Sequence, residues 1–190
     1  MTKSDRSGLL EDAIQVALDN HRGETDQDGE VFVRHPLRVM ENVPEDARVV
    51  AVLHDVVEDG GSIDAVRARL TVEELQALNL LTRKASDPYD TYIERIATSE
   101  NRIAVWVKRA DLTDNLRPCQ NCPEHLRPKY AKSLERLGQL DEFDNDEERP
   151  LDGSSPVARH PTRAADAASA DGGKDKPWRT QWPCWTAEST

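Results

Sequence analysis

Residues 45–61, EDARVVAVLHDVVEDGG, decide the fold class of this chain. Between Val49 and Val57 the side chains are apolar nearly all round a helix, a pattern typical of a central helix that is buried on every side. Pro44 opens this helix, and the Gly60–Gly61 pair ends it. A helix buried in this way requires other helices packed around it. The same stretch also contains four ionisable residues, which are His54, Asp55, Glu58 and Asp59.

The rest of residues 1–140 has mainly helical periodicity. An apolar stripe predicts a first helix over residues 8–21, and the buried helix covers residues 45–58. Further helices are expected around the apolar positions in 75–81, 92–96, 103–115 and 130–137. In ETDQDGEVFV, at 24–33, turn chemistry at Asp28–Gly29 precedes β-forming residues and favours one short β-hairpin. The sequence therefore predicts an all-α helical bundle with little or no sheet.

The composition changes sharply after Leu140, which divides the chain into a domain over 1–140 and a tail over 141–190. The tail is acidic at its start and then rich in Ala, Asp, Gly and Ser. Ordering it would cost conformational entropy with little apolar burial in return, so we predict that it is disordered. Its end contains Trp178, Trp182 and Trp185. These tryptophans fit an unstructured terminus or one that folds back weakly on the domain. The alternative is a docking peptide for a partner protein or a neighbouring subunit.

The charge of the chain excludes several classes of partner. A formal net charge of -11 and a pI near 4.9 argue against binding to DNA, RNA or a membrane surface, because their phosphates repel such a field. A small anionic substrate remains compatible, since a bound metal can reverse the sign within one site. No apolar run approaches the roughly 18 residues that cross a bilayer. The N-terminal residues do not resemble a secretory signal, and three cysteines do not form a disulfide framework, so we expect a cytoplasmic protein.

The ionisable residues of the buried helix predict a metal site. Burying so many charged groups is costly unless something compensates them, and a divalent cation does so well. On a helix His54 and Asp55 can both reach one metal, and Glu58 and Asp59 follow one turn later, near enough to act on its bound water. The alternative is a solvated, acidic helix end, which the helix dipole disfavours.

Two further segments extend this site. RHPLRV places His35 before Pro36 at a helix start, and VKRADLTDN places Asp111 and Asn115 one turn apart after an apolar stretch. Each residue alone has an ordinary explanation as a core or cap residue. Together the two histidines and two aspartates form a mixed nitrogen and carboxylate set that suits Mn²⁺, Fe²⁺ or Zn²⁺.

These motifs, in the order HxG, HPLRV, LHDVVED, LTRK and KRADLTDN, resemble the hydrolase half of the RelA/SpoT alarmone enzymes and the small single-domain alarmone hydrolases. Those proteins are HD-domain metal-dependent phosphohydrolases, and the resemblance spans about residues 9–137. It implies that one metal ion, usually Mn²⁺, is held by four residues, which are His35, His54, Asp55 and Asp111. It also implies that Glu58 and Asp59 orient or deprotonate the attacking water, and that Asn115 lies near the ribose or phosphate of the substrate.

The resemblance implies removal of the 3′-pyrophosphate from guanosine tetra- or pentaphosphate, or hydrolysis of a related nucleotide or another phosphate ester. Tyr130 is a candidate for stacking on a base. The candidate cations for phosphate are Arg22, Lys108, Arg109, Arg83 and Lys84. For this group, solvated surface charges and a core tyrosine are the alternative interpretation. A non-catalytic nucleotide-binding or partner-docking module is the alternative for the whole chain.

One loop departs from the alarmone hydrolase pattern. An Arg–Lys pair usually precedes the first metal histidine, but here the corresponding residues are Asp26 and Gln27. Losing two cations and gaining a carboxylate should weaken binding of a highly anionic guanine nucleotide. The loop therefore favours a less charged nucleotide or another phosphate ester as the substrate.

Two other features of the sequence contain a histidine, and neither belongs to the predicted metal site. Cys119, Cys122 and His125 offer three ligands for a structural zinc ion, which Cys184 or His160 would have to complete. The alternative is a plain loop between helices. His21 lies on the apolar stripe of the first predicted helix, where we expect a buried histidine with satisfied hydrogen bonds.

Overall fold

A computed structural model describes residues 3–118 and 124–138, and this part of the chain is an all-α bundle. Its fold class confirms the prediction from periodicity. Two 3₁₀ turns, Glu45–Ala47 and Glu124–Leu126, precede α3 and α8. The helices are α1 (Lys3–Asn20), α2 (Arg34–Glu41), α3 (Arg48–Glu58), α4 (Asp64–Arg67), α5 (Val72–Leu81), α6 (Tyr89–Ala97), α7 (Arg102–Asn115) and α8 (Arg127–Gly138).

Helix α3 lies at the centre of the bundle and packs against α1, α2, α5 and α7. Most of its residues are buried, including every position from Val49 to His54. Burying an aliphatic side chain contributes roughly 1.5–3 kcal/mol, so the apolar residues of this helix are a main source of stability. The prediction of a helix buried on all sides is confirmed. Because α3 carries His54 and Asp55, the same packing fixes their position.

Two caps fix the helices that follow α3. Thr71 and Glu74 form a capping box at the start of α5, and Glu74 also accepts a 2.7 Å hydrogen bond from Arg6 of α1. At the start of α7 the Asn101 side chain accepts from Ala104 N and donates to Glu73 O, both at 2.9 Å. These contacts set where α5 and α7 begin and join them to the rest of the bundle.

The predicted β-hairpin is reduced to a single antiparallel bridge between Thr25 and Val31. The Asp26 carboxylate accepts hydrogen bonds from Asp28 N and Glu30 N, and Gly29 has φ +78°. This local bonding closes a tight turn in place of a strand ladder. A two-stranded hairpin without a third strand is only marginally stable, which explains why no longer ladder forms here.

Several boundaries differ from the predictions. Helix α1 begins at Lys3, not at residue 8, and ends at Asn20. The predicted helix over 45–58 begins as a 3₁₀ turn and becomes α-helical at Arg48. Residues 139–190, with the predicted disordered tail and its three tryptophans, lie outside the described residues. Cys119 and Cys122 lie outside them as well.

No helix among the described residues is both long enough and apolar enough to cross a membrane.

Candidate metal centre

The fold brings together the four residues predicted to bind one metal. His35 comes from α2, His54 and Asp55 from α3, and Asp111 from α7. His35 Nε2 lies 3.3 Å from Asp111 Oδ1 and 3.5 Å from Asp55 Oδ2, and the two histidine rings are 5.6 Å apart between centroids. Ligand atoms of His35, His54 and Asp111 lie within 4.8 Å of one another.

Two buried atoms of this cluster have no hydrogen-bond partner, which supports a bound cation there. They are His54 Nε2 and Asp55 Oδ2. Although His54 Nε2 is 3.0 Å from Asp55 Oδ1, the pair does not have hydrogen-bond geometry. Buried polar atoms are nearly always satisfied in folded proteins, and a divalent ion among these four residues would satisfy both atoms. The residues present therefore fit one divalent metal.

Hydrogen bonds at the other ring nitrogens orient both histidines as ligands. His54 Nδ1 donates to the Ala51 carbonyl at 2.7 Å, which leaves the Nε2 lone pair toward the cluster. His35 Nδ1 donates to Asp114 Oδ2 at 2.7 Å and likewise presents Nε2. Such outer hydrogen bonds select the tautomer that a metal needs.

Asp114 is a site residue that the sequence analysis missed. Its carboxylate contacts His35 and also accepts two hydrogen bonds from Arg38. Arg38 Nε donates at 2.6 Å and Nη2 donates at 2.7 Å, which makes the pair bidentate. Burial opposes its ionisation, but the bonds to His35 and Arg38 outweigh burial and hold the pKa of Asp114 well below its usual range. The i, i+3 spacing from Asp111 on α7 was the available signal, because it places both carboxylates on one face.

Lys108 and Asn115, which were predicted to contact substrate, hold the Asp111 carboxylate. Lys108 Nζ donates to Asp111 Oδ2 at 2.7 Å, and Asn115 Nδ2 donates to Asp111 Oδ1 at 2.6 Å. Burial alone would raise the pKa of Asp111, but the Lys108 ammonium outweighs burial and keeps it well below its usual range. Asp111 is therefore ionised, as a metal ligand must be.

Both histidines of the cluster have a raised pKa. Burial lowers the pKa of His35, but the hydrogen bonds with Asp111 and Asp114 outweigh it and raise the pKa to about 10. Burial likewise opposes protonation of His54, and the negative charge of Asp55 reverses its effect and raises the pKa. The carboxylates thus attract positive charge to this point of the fold.

A cavity of about 320 Å³ opens over the cluster and contains the predicted water-activating pair. Glu58 and Asp59 both line it, at the end of α3. Glu58 Oε1 accepts a 3.0 Å hydrogen bond from the Arg83 backbone N–H. Burial raises the pKa of Glu58 to about 7, which suits a group that accepts a proton near neutral pH.

The other predicted substrate contacts divide into two groups. Tyr130 of α8 lines the cavity and is buried. Arg22 and Arg109 do not line it, and neither do Arg83 and Lys84. Arg22 is an exposed residue paired with Asp19 at 2.6 Å. The basic residues that line the cavity without being predicted are Arg34, Arg38, Arg117 and Arg127.

The loop at Asp26 and Gln27, which differs from the alarmone hydrolase pattern, forms one wall of this cavity. Asp26 and Gln27 line it together with Asp28 and Glu30, and Glu30 is paired with Arg34. The loop that distinguishes this chain from the alarmone hydrolase pattern therefore lies on the wall of the cavity that also contains His35, Asp55 and Asp111.

His21 is buried as predicted, but its hydrogen bonding is incomplete. Its ring packs edge-on against Phe32, with centroids 4.7 Å apart, and Nδ1 lies 2.9 Å from Glu24 Oε2. The opposite nitrogen, Nε2, is buried without a partner. The prediction of a fully satisfied core histidine is wrong. His125, the third predicted zinc ligand, lies in the 3₁₀ turn before α8.

Comparison with known proteins gives one distant similarity. No protein-family model matches the chain. A protein of Oryza sativa subsp. japonica, named as the chloroplastic GTP diphosphokinase RSH1, is 27% identical over 155 residues. The match covers 68% of this chain and only 17% of the rice protein. The chain is thus similar, at a distance and in part, to an enzyme of the RelA/SpoT type.

Proposed function

We propose that this chain is a metal-dependent phosphohydrolase that removes the 3′-pyrophosphate from guanosine tetra- or pentaphosphate or a related nucleotide. The observation that carries the proposal is the buried cluster of His35, His54, Asp55 and Asp111, with two unpartnered ligand atoms beneath an open cavity. The same cavity contains a carboxyl group whose pKa lies near neutrality. Metal-binding side chains beside a proton acceptor are what phosphoester hydrolysis needs.

The proposed metal is Mn²⁺, with Zn²⁺ or Fe²⁺ compatible with the same residues. When bound, it supplies Lewis-acid polarisation of a phosphoryl oxygen and lowers the pKa of water. The two histidines would hold the ion through Nε2, because hydrogen bonds from their Nδ1 atoms to the Ala51 carbonyl and to Asp114 already orient the rings. Lys108 and Asn115 keep Asp111 ionised and fixed in place.

Glu58 is the proposed proton acceptor. The oxygen of a water molecule attacks phosphorus, the water proton passes to Glu58, and the bond from phosphorus to the 3′ oxygen breaks. The leaving oxygen then takes up a proton, either from Glu58 or from solvent. Arg117 and Arg127, on the cavity wall, are the proposed cations for phosphate, and they also contact Asp114 and Glu124 at 3.3 and 3.7 Å. Tyr130 offers an aromatic surface to a base.

The similarity to the rice protein supports a role in alarmone metabolism, because that protein is named a GTP diphosphokinase. Hydrolysis is the direction that the described residues support, because they provide metal ligands and a proton acceptor in one cavity. A second candidate is a hydrolase of a less charged phosphate ester. It is favoured by the acidic side chains of Asp26, Asp28 and Glu30 on the cavity wall, which would repel a polyphosphate.

The test is a product-release assay with purified protein and Mn²⁺, which follows pyrophosphate from guanosine tetraphosphate and phosphate from a panel of nucleotides and simple esters. We expect Asp55→Ala to abolish turnover and Glu58→Gln to lower kcat about 10²–10⁴-fold while Mn²⁺ binding persists. Glu73→Gln, at an exposed site on α5, is the control. Turnover of simple esters without turnover of alarmone would select the second candidate. No metal-dependent turnover of any phosphate ester would leave only the non-catalytic binding module.

The pH profile provides a further readout for Glu58. Its ionised form is the active one, so the rate should rise with pH along a limb whose midpoint is no higher than about pH 7. A nearby cation favours the ionised form and can only move this limb lower. Glu58→Gln should remove the limb, and an unchanged profile in that variant would assign it to another group.

A further inference from the structure

Three rings lead from the end of α1 to the metal centre, and they belong to His21, Phe32 and His35. The His21 ring packs edge-on against Phe32, with centroids 4.7 Å apart and an angle of 63° between the planes. The Phe32 ring lies 5.8 Å from the His35 ring, and these planes are tilted by 37°. Both distances fall in the range in which aromatic rings attract each other. Phe32 therefore contacts a buried histidine outside the metal centre and also a histidine proposed to bind the metal.

Main-chain hydrogen bonds join the same three residues. The His21 carbonyl accepts from Glu24 N at 3.1 Å, and the Glu24 carbonyl accepts from Phe32 N at 2.9 Å. The Phe32 carbonyl then accepts from His35 N at 2.8 Å, where α2 begins. Gly23, with φ +77°, permits the turn between His21 and Glu24. The backbone thus follows the same route as the rings, from the end of α1 to the metal ligand.

Burial restricts the movement of these rings. His21 is 1% exposed and Phe32 is 5% exposed, so neither ring can shift without disturbing close-packed neighbours. Glu24 Oε2 lies 2.9 Å from His21 Nδ1 and fixes the rotation of that ring. Asp114 does the same for His35 through its Nδ1 atom. A hydrogen bond to one nitrogen leaves the His35 ring free to tilt, and the packed face of Phe32 limits that tilt.

We propose that Phe32 is a positioning residue for the metal ligand His35, and that His21 acts on this ligand through Phe32. Ligands that are already held in place bind a metal more tightly, because ordering a mobile side chain costs conformational entropy. Phe32 lines the cavity beside His35, which places its ring on the metal side of the core. The proposal also gives a role to the HxG motif at residues 21–23. It rests on the metal centre of the proposed function and is independent of the substrate.

The test is a Mn²⁺ titration of the full chain by calorimetry. Phe32→Leu keeps an apolar side chain and removes the ring, and we expect it to weaken Mn²⁺ binding about tenfold. Any hydrolysis rate should fall at limiting Mn²⁺ and recover at saturating Mn²⁺. Ile96→Val, at a fully buried position of α6 that does not line the cavity, is the matched control. It should lower the melting temperature, as any loss of core packing does, and leave the Mn²⁺ affinity unchanged.

A double-mutant cycle tests the part played by His21. His21→Ala should weaken Mn²⁺ binding less than Phe32→Leu does, and the double variant should bind Mn²⁺ as Phe32→Leu does, because the ring through which His21 acts is then absent. Should His21→Ala fail to fold, His21→Leu fills the space and replaces it in the cycle.

Wild-type Mn²⁺ affinity in Phe32→Leu would overturn the proposal. Additive effects of the two substitutions would overturn the role of His21, because it would then act by a separate route. A wild-type chain that binds Mn²⁺ and hydrolyses no phosphate ester would contradict the proposed function, and the titrations would still decide the role of Phe32.

Discussion

Asp114 contacts His35 from the side opposite the proposed metal, and its carboxylate is itself fixed by Arg38. A carboxylate in this position keeps the imidazole in one tautomer and makes Nε2 a better ligand. Its effect on the reaction is therefore indirect, through the orientation and basicity of His35. Arg38 donates two hydrogen bonds to the same carboxylate, so removing the charge of Asp114 would disturb both Arg38 and His35.

We expect Asp114→Asn to weaken Mn²⁺ binding about 10–100-fold, because His35 loses its charged acceptor. Activity at limiting Mn²⁺ should fall with it and recover at high Mn²⁺. The measurement is the Mn²⁺ concentration that gives half-maximal rate, with calorimetry as the direct readout. Thr113→Ala, at an exposed neighbouring position of α7, is the matched control. A loss of rate that excess Mn²⁺ does not restore would contradict the positioning role.

At the residue scale, the sequence identifies groups whose chemistry is unusual for their surroundings. His54 and Asp55 are recognisable because charge interrupts an apolar helix, and the structure places them with His35 and Asp111 as predicted. The contact between Arg38 and Asp114 joins residues 76 positions apart, and no local pattern reveals it. Lys108 was predicted as one of several cations for phosphate, and the structure shows it buried with its ammonium 2.7 Å from Asp111.

At the element scale, the turn after α3 depends on backbone freedom. Gly60 has φ +71°, which lets the chain leave the helix directly after Asp59. A residue with a Cβ is strained in this region, whatever space surrounds it. Gly8 is the opposite case, since it lies within α1 and a Cβ there would meet nothing within 4 Å. The same substitution should therefore have opposite signs at the two glycines.

We expect Gly60→Ala to lower the free energy of unfolding by about 1 kcal/mol, the cost of a left-handed conformation for alanine. Gly8→Ala should raise it by about 0.5–1 kcal/mol, because alanine favours the helix. Urea denaturation of both variants, followed by circular dichroism, measures the two values. A destabilised Gly8→Ala, or a Gly60→Ala as stable as the wild type, would contradict the assignment of these conformations.

The sequence predicted helices wherever apolar residues recur with helical periodicity. It did not predict the residues at which those helices begin and end. The segment Lys3–Ser7 has no apolar stripe, yet it is helical, and Arg6 within it is fixed to Glu74 of α5. Contacts between elements, which a local pattern does not report, extended this helix. The hairpin was predicted from β-forming residues, but its turn is closed by Asp26 and it has no third strand to pair with.

At the scale of the whole molecule, α8 completes both the core and the cavity. Tyr130 and Leu137 are buried, and α8 packs against α6 and α7. Arg136 forms a bidentate pair with Glu94 of α6, at 2.7 Å for each contact. The sequence predicted the helix and the boundary after residue 140. It did not predict that Arg117 and Arg127, on either side of the undescribed 119–123 segment, line one cavity.

This arrangement leads to a prediction about truncation. A chain ending at residue 140 keeps α8, which ends at Gly138, and removes the predicted disordered tail. We expect its melting temperature to lie within about 2 °C of the full chain, because such a tail adds little stability. We also expect its Mn²⁺-dependent hydrolysis rate to be unchanged. Trp106 is then the only tryptophan left, so its fluorescence alone reports unfolding.

A chain ending at residue 126 is the informative comparison, because it removes α8 itself. Losing the burial of Tyr130 and Leu137 costs roughly 1.5–3 kcal/mol for each side chain and exposes their partners on α6 and α7. That loss is a large share of the 5–15 kcal/mol by which a domain is usually stable, so this chain should unfold or aggregate. If the chain ending at 140 melted several degrees lower than the full protein, the tail would have to pack on the domain. The tryptophans Trp178, Trp182 and Trp185 would then be the first residues to replace.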